Sequence, residues 1–202
     1  MHLCTLNLNS QDELRFSWRD EDLSRPSLNV YGFAVDSIVD GPGLRFGVFV
    51  QGCSHHCEGC HNPKSHEPNV GKYYSVDEIV ERVCKNKLTQ GVTLSGGEPF
   101  EQCEAEIMLA SKLRKLGYDI WAYSGYTFET LMGGHPNKLA PLLVSLCDVL
   151  VDGPFVQKLA SYDISWRGST NQRLIDVQES LRQHAIVLFN TEEIEIETPP
   201  SW

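Results

Sequence analysis

The chain has 202 residues, enough for one domain with appendages, and its 41% hydrophobic and 22% charged residues are ordinary globular usage that excludes a disordered chain. Its formal charge of −10 is opposite to the sign of a generic nucleic-acid binder. Seven cysteines, an odd number with three inside eight positions, argue against a secreted disulfide framework and for a reducing, cytoplasmic setting.

Residues 1–28 are polar, mixed and without clear period, and read as an N-terminal extension. No basic region followed by an apolar run marks a secretory signal. The most apolar stretch, Leu139 to Val151, is interrupted by Pro141, Ser145 and Asp148 and is too short to span a bilayer, so no membrane partner is expected. A domain over 29–190 follows. Arg45 to Gln51, bounded by glycines, predicts a buried strand. Ser75 to Glu78 is a capping box that opens a helix ending near Leu88. Gly91 to Ser95 predicts a second strand, Glu101 to Leu116 a helix closed by Gly117, and Asp119 to Tyr123 a third strand. Asn137 to Leu146 reads as helix with Pro141 in its first turn, Cys147 to Val151 as a fourth strand, Gln178 to Gln183 as a short helix and Ala185 to Phe189 as a late strand. The segment 191–202 is an acidic C-terminal tail.

Strands alternating with helices define an α/β class with a mostly parallel sheet, whose ligands bind beyond the carboxyl ends of the strands. Four motifs fall there: Cys53–Cys60, Ser95–Pro99, Ser124–Tyr126 and Asp152-Gly153. The cysteine loop has the spacing C-x3-C-x2-C at Cys53, Cys57 and Cys60. Three local thiolates suit an iron–sulfur cluster in which either a distant cysteine completes the set of four or one iron stays open. Structural zinc, completed by His55, His56, His61 or His66, stays open on spacing alone. A disulfide pair with a spare thiol fits the compartment poorly. Cys84, Cys103 and Cys147 read as small buried hydrophobes. Cys4 carries no reading. In Ser95-Gly96-Gly97-Glu98-Pro99, two glycines allow close approach of a ligand to the backbone.

C-x3-C-x2-C after one strand and Gly-Gly-Glu-Pro after the next resemble the radical S-adenosylmethionine superfamily. Gly41-Pro42-Gly43-Leu44-Arg45, Phe49, Gly52 and Asn62 resemble the signature of activating enzymes of glycyl radical enzymes. Trp121 to Tyr126, Asp148 to Phe155 and Arg167 to Asp176 resemble one branch, the activating proteins of anaerobic (class III) ribonucleoside-triphosphate reductase. The likeness runs from about Tyr31 to Val177.

The resemblance implies a partial, laterally open (β/α) barrel of about six units. It implies that Cys53, Cys57 and Cys60 hold a 4Fe-4S cluster whose fourth iron binds S-adenosyl-L-methionine. One electron would cleave the sulfonium, and the 5′-deoxyadenosyl radical would take a hydrogen atom from a glycine loop of the reductase. Ser95, Gly96, Gly97, Glu98 and Pro99 would meet the methionine amino group, Gly59, Cys60 and His61 the adenine side, and Ser124 and Asp152 the ribose or methionine. A low-potential electron donor such as flavodoxin is implied, and no acid–base residue is needed, which leaves His55, His56 and His66 as solvated loop residues. Two other readings compete: a radical enzyme of another kind (an activase of a different glycyl radical enzyme, or the 7-carboxy-7-deazaguanine synthase type), and a non-catalytic zinc or electron-transfer module.

Overall fold

A computed structural model describes residues 26–191. Seven strands form one open sheet in the order β3-β1-β2-β4-β5-β6-β7. Its centre is parallel: β2 (Arg45–Val50), β4 (Gly91–Gly96), β5 (Asp119–Tyr123) and β6 (Val149–Asp152) pair in that order. Antiparallel strands finish both sides, with β1 (Ser27–Ser37) on β2, β3 (Lys72–Ser75) on β1 and β7 (Arg173–Asp176) on β6. The expectation of about six β/α units is therefore corrected to four parallel strands joined by three crossovers. The sheet has two edges, β3 and β7, with no closure between them.

The capping box is present: Ser75 Oγ accepts from the Glu78 amide, and the Glu78 carboxylate accepts from the Ser75 amide, opening α1 (Val76–Lys85). A 3-10 turn (Pro99–Gln102) leads into α2 (Cys103–Lys115), and Gly117 beyond its end has φ +91°. The short α3 (Phe128–Met132), capped by the Thr127 side chain, has no sequence-level expectation. Pro141 lies in the first turn of α4 (Ala140–Ser145), where its missing N–H costs nothing. Helix α5 (Val177–Gln183) ends at His184 in the left-handed region.

Alternation along the central strands builds two apolar layers. Val92, Leu94, Ile120, Ala122, Leu150 and Ile175 face one way and join the main core with residues of α1, α2, α4 and α5. Trp121, Val149, Val151 and Leu174 face the other way and are packed by Tyr123, Trp166 and Phe189. Burial on both faces is why these strands read as unbroken apolar runs.

Two expectations change, and two strands had none. Strand β1 begins at Ser27, inside the supposed extension; Ser27 and Leu28 pair with Ser75 and Tyr74. Ala185 to Phe189 is no strand: it lies along β7 with a single bridge, Ile175 to Leu188. The short strands β3 and β7, four residues each, fall below what periodicity can register. Residues 1–25, which include Cys4, and 192–202 lie outside the described residues.

Candidate cluster and cosubstrate site

The end of β2 turns at Gly52, φ +101°, into the cysteine loop. The loop's base is fixed by backbone bonds, Gly52 N to Ser65 O at 2.7 Å and Cys53 N to His66 O at 3.1 Å. The neighbouring exit from β4 is laced to it: Gly97 N donates to Val50 O and Glu98 N to Gly52 O, both at 2.8 Å. A Cβ on Gly96, φ +94°, would lie 2.6 Å from Phe49 Cα, and one on Gly97 would lie 2.2 Å from Gly52 O. The glycines are thus demanded by the close approach of β2's own backbone, independently of any ligand.

Cys53, Cys57 and Cys60 line one cleft of about 120 Å³ together with Ser95, Gly96, Gly97, Glu98 and Ser124. All three thiols are free and half-buried. Cys60 Sγ accepts from the Asn62 amide at 3.4 Å. Burial pushes the Cys53 thiol up to about 11, and the like charges of Glu98, Glu101 and Cys57 add to it, so its thiolate requires a cationic partner. A metal centre supplies that partner and displaces the proton. Among the described residues no three His, Cys, Asp or Glu side chains converge closely enough to hold one metal ion. A cluster, in which each thiolate binds its own iron, makes no such demand.

Glu98 is 1% exposed and accepts four hydrogen bonds, from His55 Nε2 (2.9 Å), the Gly125 amide (2.9 Å), Ser124 Oγ (3.0 Å) and the Phe100 amide (3.1 Å). His55 is therefore no solvated loop residue: its side chain is 17% exposed and stands against the Tyr126 ring at 4.3 Å. His66 also lines the cleft, with the His56 ring 5.1 Å away. Ser54 clamps the loop a second time, its amide donating to Glu101 Oε1 at 3.1 Å.

Gly59, His61, Pro99 and Asp152 do not line the cleft. Gly59, φ +72°, packs under Gln157, and the exposed His61 ring lies 5.0 Å from Phe155. Asp152 is 1% exposed, and its oxygens accept from Arg173 (Nε 2.9 Å, Nη2 2.5 Å) and from the Phe128 amide at 2.7 Å. That carboxylate's hydrogen bonds brace the loop that presents Gly153. Gly125 and Gly153, which belong to the strand-end motifs Ser124–Tyr126 and Asp152-Gly153, also line the cleft, whereas sequence reasoning missed Tyr123, Phe155 and Gln172 as cleft residues. These three lie in segments that carry only the family likeness. Cys103 and Cys147 are buried as expected, while Cys84 is half-buried beside the Tyr118 hydroxyl.

A thiol-lined cleft beside a glycine-rich strand end, on an open α/β sheet, defines an iron–sulfur protein, and the family described as a 4Fe-4S single cluster domain matches residues 39–175. Anaerobic ribonucleoside-triphosphate reductase-activating proteins match over most of the domain. That of Escherichia coli K12 is 37% identical over 153 residues, covering 72% of this chain and 96% of its own. That of Haemophilus influenzae is 34% identical over 155 residues, with 72% and 96% covered. That of Enterobacteria phage T4 is 37% identical over 153 residues, with 72% and 92% covered. The chain belongs to this family of activating proteins, and is a radical S-adenosylmethionine enzyme with a 4Fe-4S cluster.

Proposed function

We propose that this protein activates an anaerobic ribonucleoside-triphosphate reductase by placing a radical on a glycine of it. The observation that carries the reading is the meeting of Cys53, Cys57 and Cys60 with the Ser95–Glu98 edge in one cleft. When bound, the reduced cluster supplies one electron that splits S-adenosylmethionine into methionine and a radical able to take a hydrogen atom from the partner's glycine.

The chain's own residues bind, orient and shield. Cys53, Cys57 and Cys60 would hold the cluster. The exit of β4, Ser95 to Pro99, takes the amino-acid end of the cosubstrate, chiefly through backbone. Ser124, presented by the end of β5, faces the same cleft. Gly59 and His61 border the nucleoside side, with Phe155 against the His61 ring. The domain, about 27–190, would be a partial barrel left open at the side, so that the reductase's glycine loop enters and the partner itself excludes water. A low-potential donor of the flavodoxin kind supplies the electron. The excess of 27 acidic over 17 basic residues argues against nucleic acid as a partner. Among the described residues no helix is long and apolar enough to cross a membrane, and a cytoplasmic location is proposed from cysteine usage.

The test is anaerobic reconstitution with iron and sulfide, followed by dithionite and S-adenosylmethionine. Formation of 5′-deoxyadenosine, and a glycyl radical signal by electron paramagnetic resonance when the reductase is added, are the expected results. A colourless zinc protein that forms neither overturns the reading.

A further inference from the structure

We propose that Glu98 is a positioning residue that ties the cysteine loop to the cosubstrate edge through His55, and that its carboxylate is not offered to a ligand. The inference rests on the reading above that this cleft holds the cluster and S-adenosylmethionine.

The lone pairs of Glu98 are already used. A carboxylate has about four acceptor sites. Oε2 accepts from His55 Nε2 and the Gly125 amide, and Oε1 accepts from Ser124 Oγ and the Phe100 amide. These donors come from three segments: the cysteine loop after β2, the turn after β4 and the loop after β5. An incoming ammonium group would have to displace one of them, at a buried site where an orphaned donor is costly.

The His55 bond is fixed from two further sides. A Cβ on Gly125 would lie 2.5 Å from His55 Nε2 and Cδ2, so only glycine leaves room for the ring there. The Tyr126 ring meets it edge-on. His55 stands midway between Cys53 and Cys57 in sequence. Its anchorage therefore sets where the loop between these two thiols sits relative to the β4 exit. Two halves of a binding site held in register before the ligand arrives avoid the ordering cost on binding.

The experiment uses the reconstituted enzyme with four variants: His55→Ala, His55→Gln, Gly125→Ala, and the double variant of the first and third. Iron content is measured first. S-adenosylmethionine affinity is then measured, along with the change that the cosubstrate causes in the electron paramagnetic resonance spectrum of the reduced cluster. His55→Ala and Gly125→Ala are expected to keep the cluster, bind the cosubstrate about tenfold more weakly, in line with a hydrogen bond to a charged group, and show a diminished spectral change. His55→Gln retains a donor at the same reach and is expected to restore most of both. The double variant is expected to be no worse than His55→Ala, because the ring that the new methyl displaces is gone. If His55→Ala loses iron and His55→Gln recovers it, the clamp is likewise supported. Wild-type affinity and spectrum in His55→Ala, or a His55→Gln as impaired as His55→Ala, overturns the proposal. A wild-type protein that takes up no cluster or binds no S-adenosylmethionine refutes the functional reading instead.

Discussion

Arg45 and Asp119 meet across the start of β4, Nη1 to Oδ1 at 2.7 Å, and Gly91 lies directly beneath their bridge. A Cβ on Gly91 would lie 2.3 Å from Asp119 Oδ2 and 2.5 Å from Arg45 Nη1. Arg45 is 1% exposed, donates to Thr93 Oγ1 at 2.7 Å and to Val92 O at 2.9 Å, and lies over the Trp121 ring at 5.3 Å. Removing Asp119 leaves a buried guanidinium short of its counter-charge. The cost of breaking a buried pair is about 3–5 kcal/mol, reduced here to roughly 2 kcal/mol because Asp119 is 43% exposed and water replaces part of the contact. Asp119→Asn is expected to lower the urea midpoint accordingly, and Gly91→Ala to lower it by at least as much through steric conflict. An unchanged midpoint in both variants would remove the bridge from the account of the fold.

The same bridge marks where sequence reading succeeds and where it stops. Strands β2, β4, β5 and β6 are legible because each is buried on both faces and so appears as a continuous apolar run. Helix α1 is legible from a local signal, the Ser75–Glu78 box. Strand β1 is not, since Tyr31 to Ser37 is half-exposed and its period is broken by register shifts at Val30/Gly32 and Ala34/Ser37. At the site, the thiol spacing is a local pattern and is readable. The partners of Glu98 are not: His55 lies 43 residues away and Ser124 26 residues away, and only the sheet order brings them together. The pairing of Asp152 with Arg173, 21 residues on, is equally invisible in the sequence.

The two kinds of cysteine separate in a mutational series. Cys57 is half-buried in the cleft, whereas Cys103 and Cys147 are buried and donate to the carbonyls of Phe100 and Leu143. Cys57→Ala is expected to abolish cluster assembly and 5′-deoxyadenosine formation with little change in the stability of the cluster-free chain. Cys103→Ser and Cys147→Ser are expected to cost about 1–3 kcal/mol for placing a hydroxyl in an apolar site, yet to load iron as the wild type does. Iron content measured beside the urea midpoint checks both; full iron in Cys57→Ala would remove it from the ligand set.

Asp152 is predicted to act on stability and only indirectly on binding. Arg173 donates to both Asp152 and Glu129, with distances of 3.1 and 2.8 Å to the latter, so one guanidinium joins β7, the end of β6 and α3. Asp152→Asn leaves Arg173 one exposed partner and weakens the cap at the Phe128 amide. A loss of about 2–4 kcal/mol is expected for a charge-assisted pair with one buried member. S-adenosylmethionine affinity is expected to stay within about threefold, since the cleft is lined by Gly153 rather than by Asp152. Equilibrium binding and denaturation on the same preparation decide the matter. Affinity lost without a loss of stability would restore Asp152 as a direct contact.

Glu106 gives the fold a pH dependence of unusual sign for a carboxylate. It lies in α2, fully buried, and neither oxygen has a hydrogen-bond partner among the described residues. Burial alone raises it from its ordinary 4.5 to about 8. The folded chain therefore holds this proton over a range in which the unfolded chain has released it. Stability from this group is fully present below about 4.5, declines as the pH rises, and levels off above about 8, where both states are ionised. The slope approaches 1.4 kcal/mol per pH unit between those limits. Glu106→Gln cannot ionise, so its stability relative to the wild type is expected to grow by several kcal/mol from pH 5 to pH 8. Glu106→Met removes the unpaired polar atoms as well and is expected to be at least as stable as Glu106→Gln throughout. Urea denaturation of the cluster-free chain at pH 5, 6, 7 and 8 measures the slope. A difference between Glu106→Gln and wild type that stays constant over that range would show that the carboxyl reaches water and titrates normally in the folded protein.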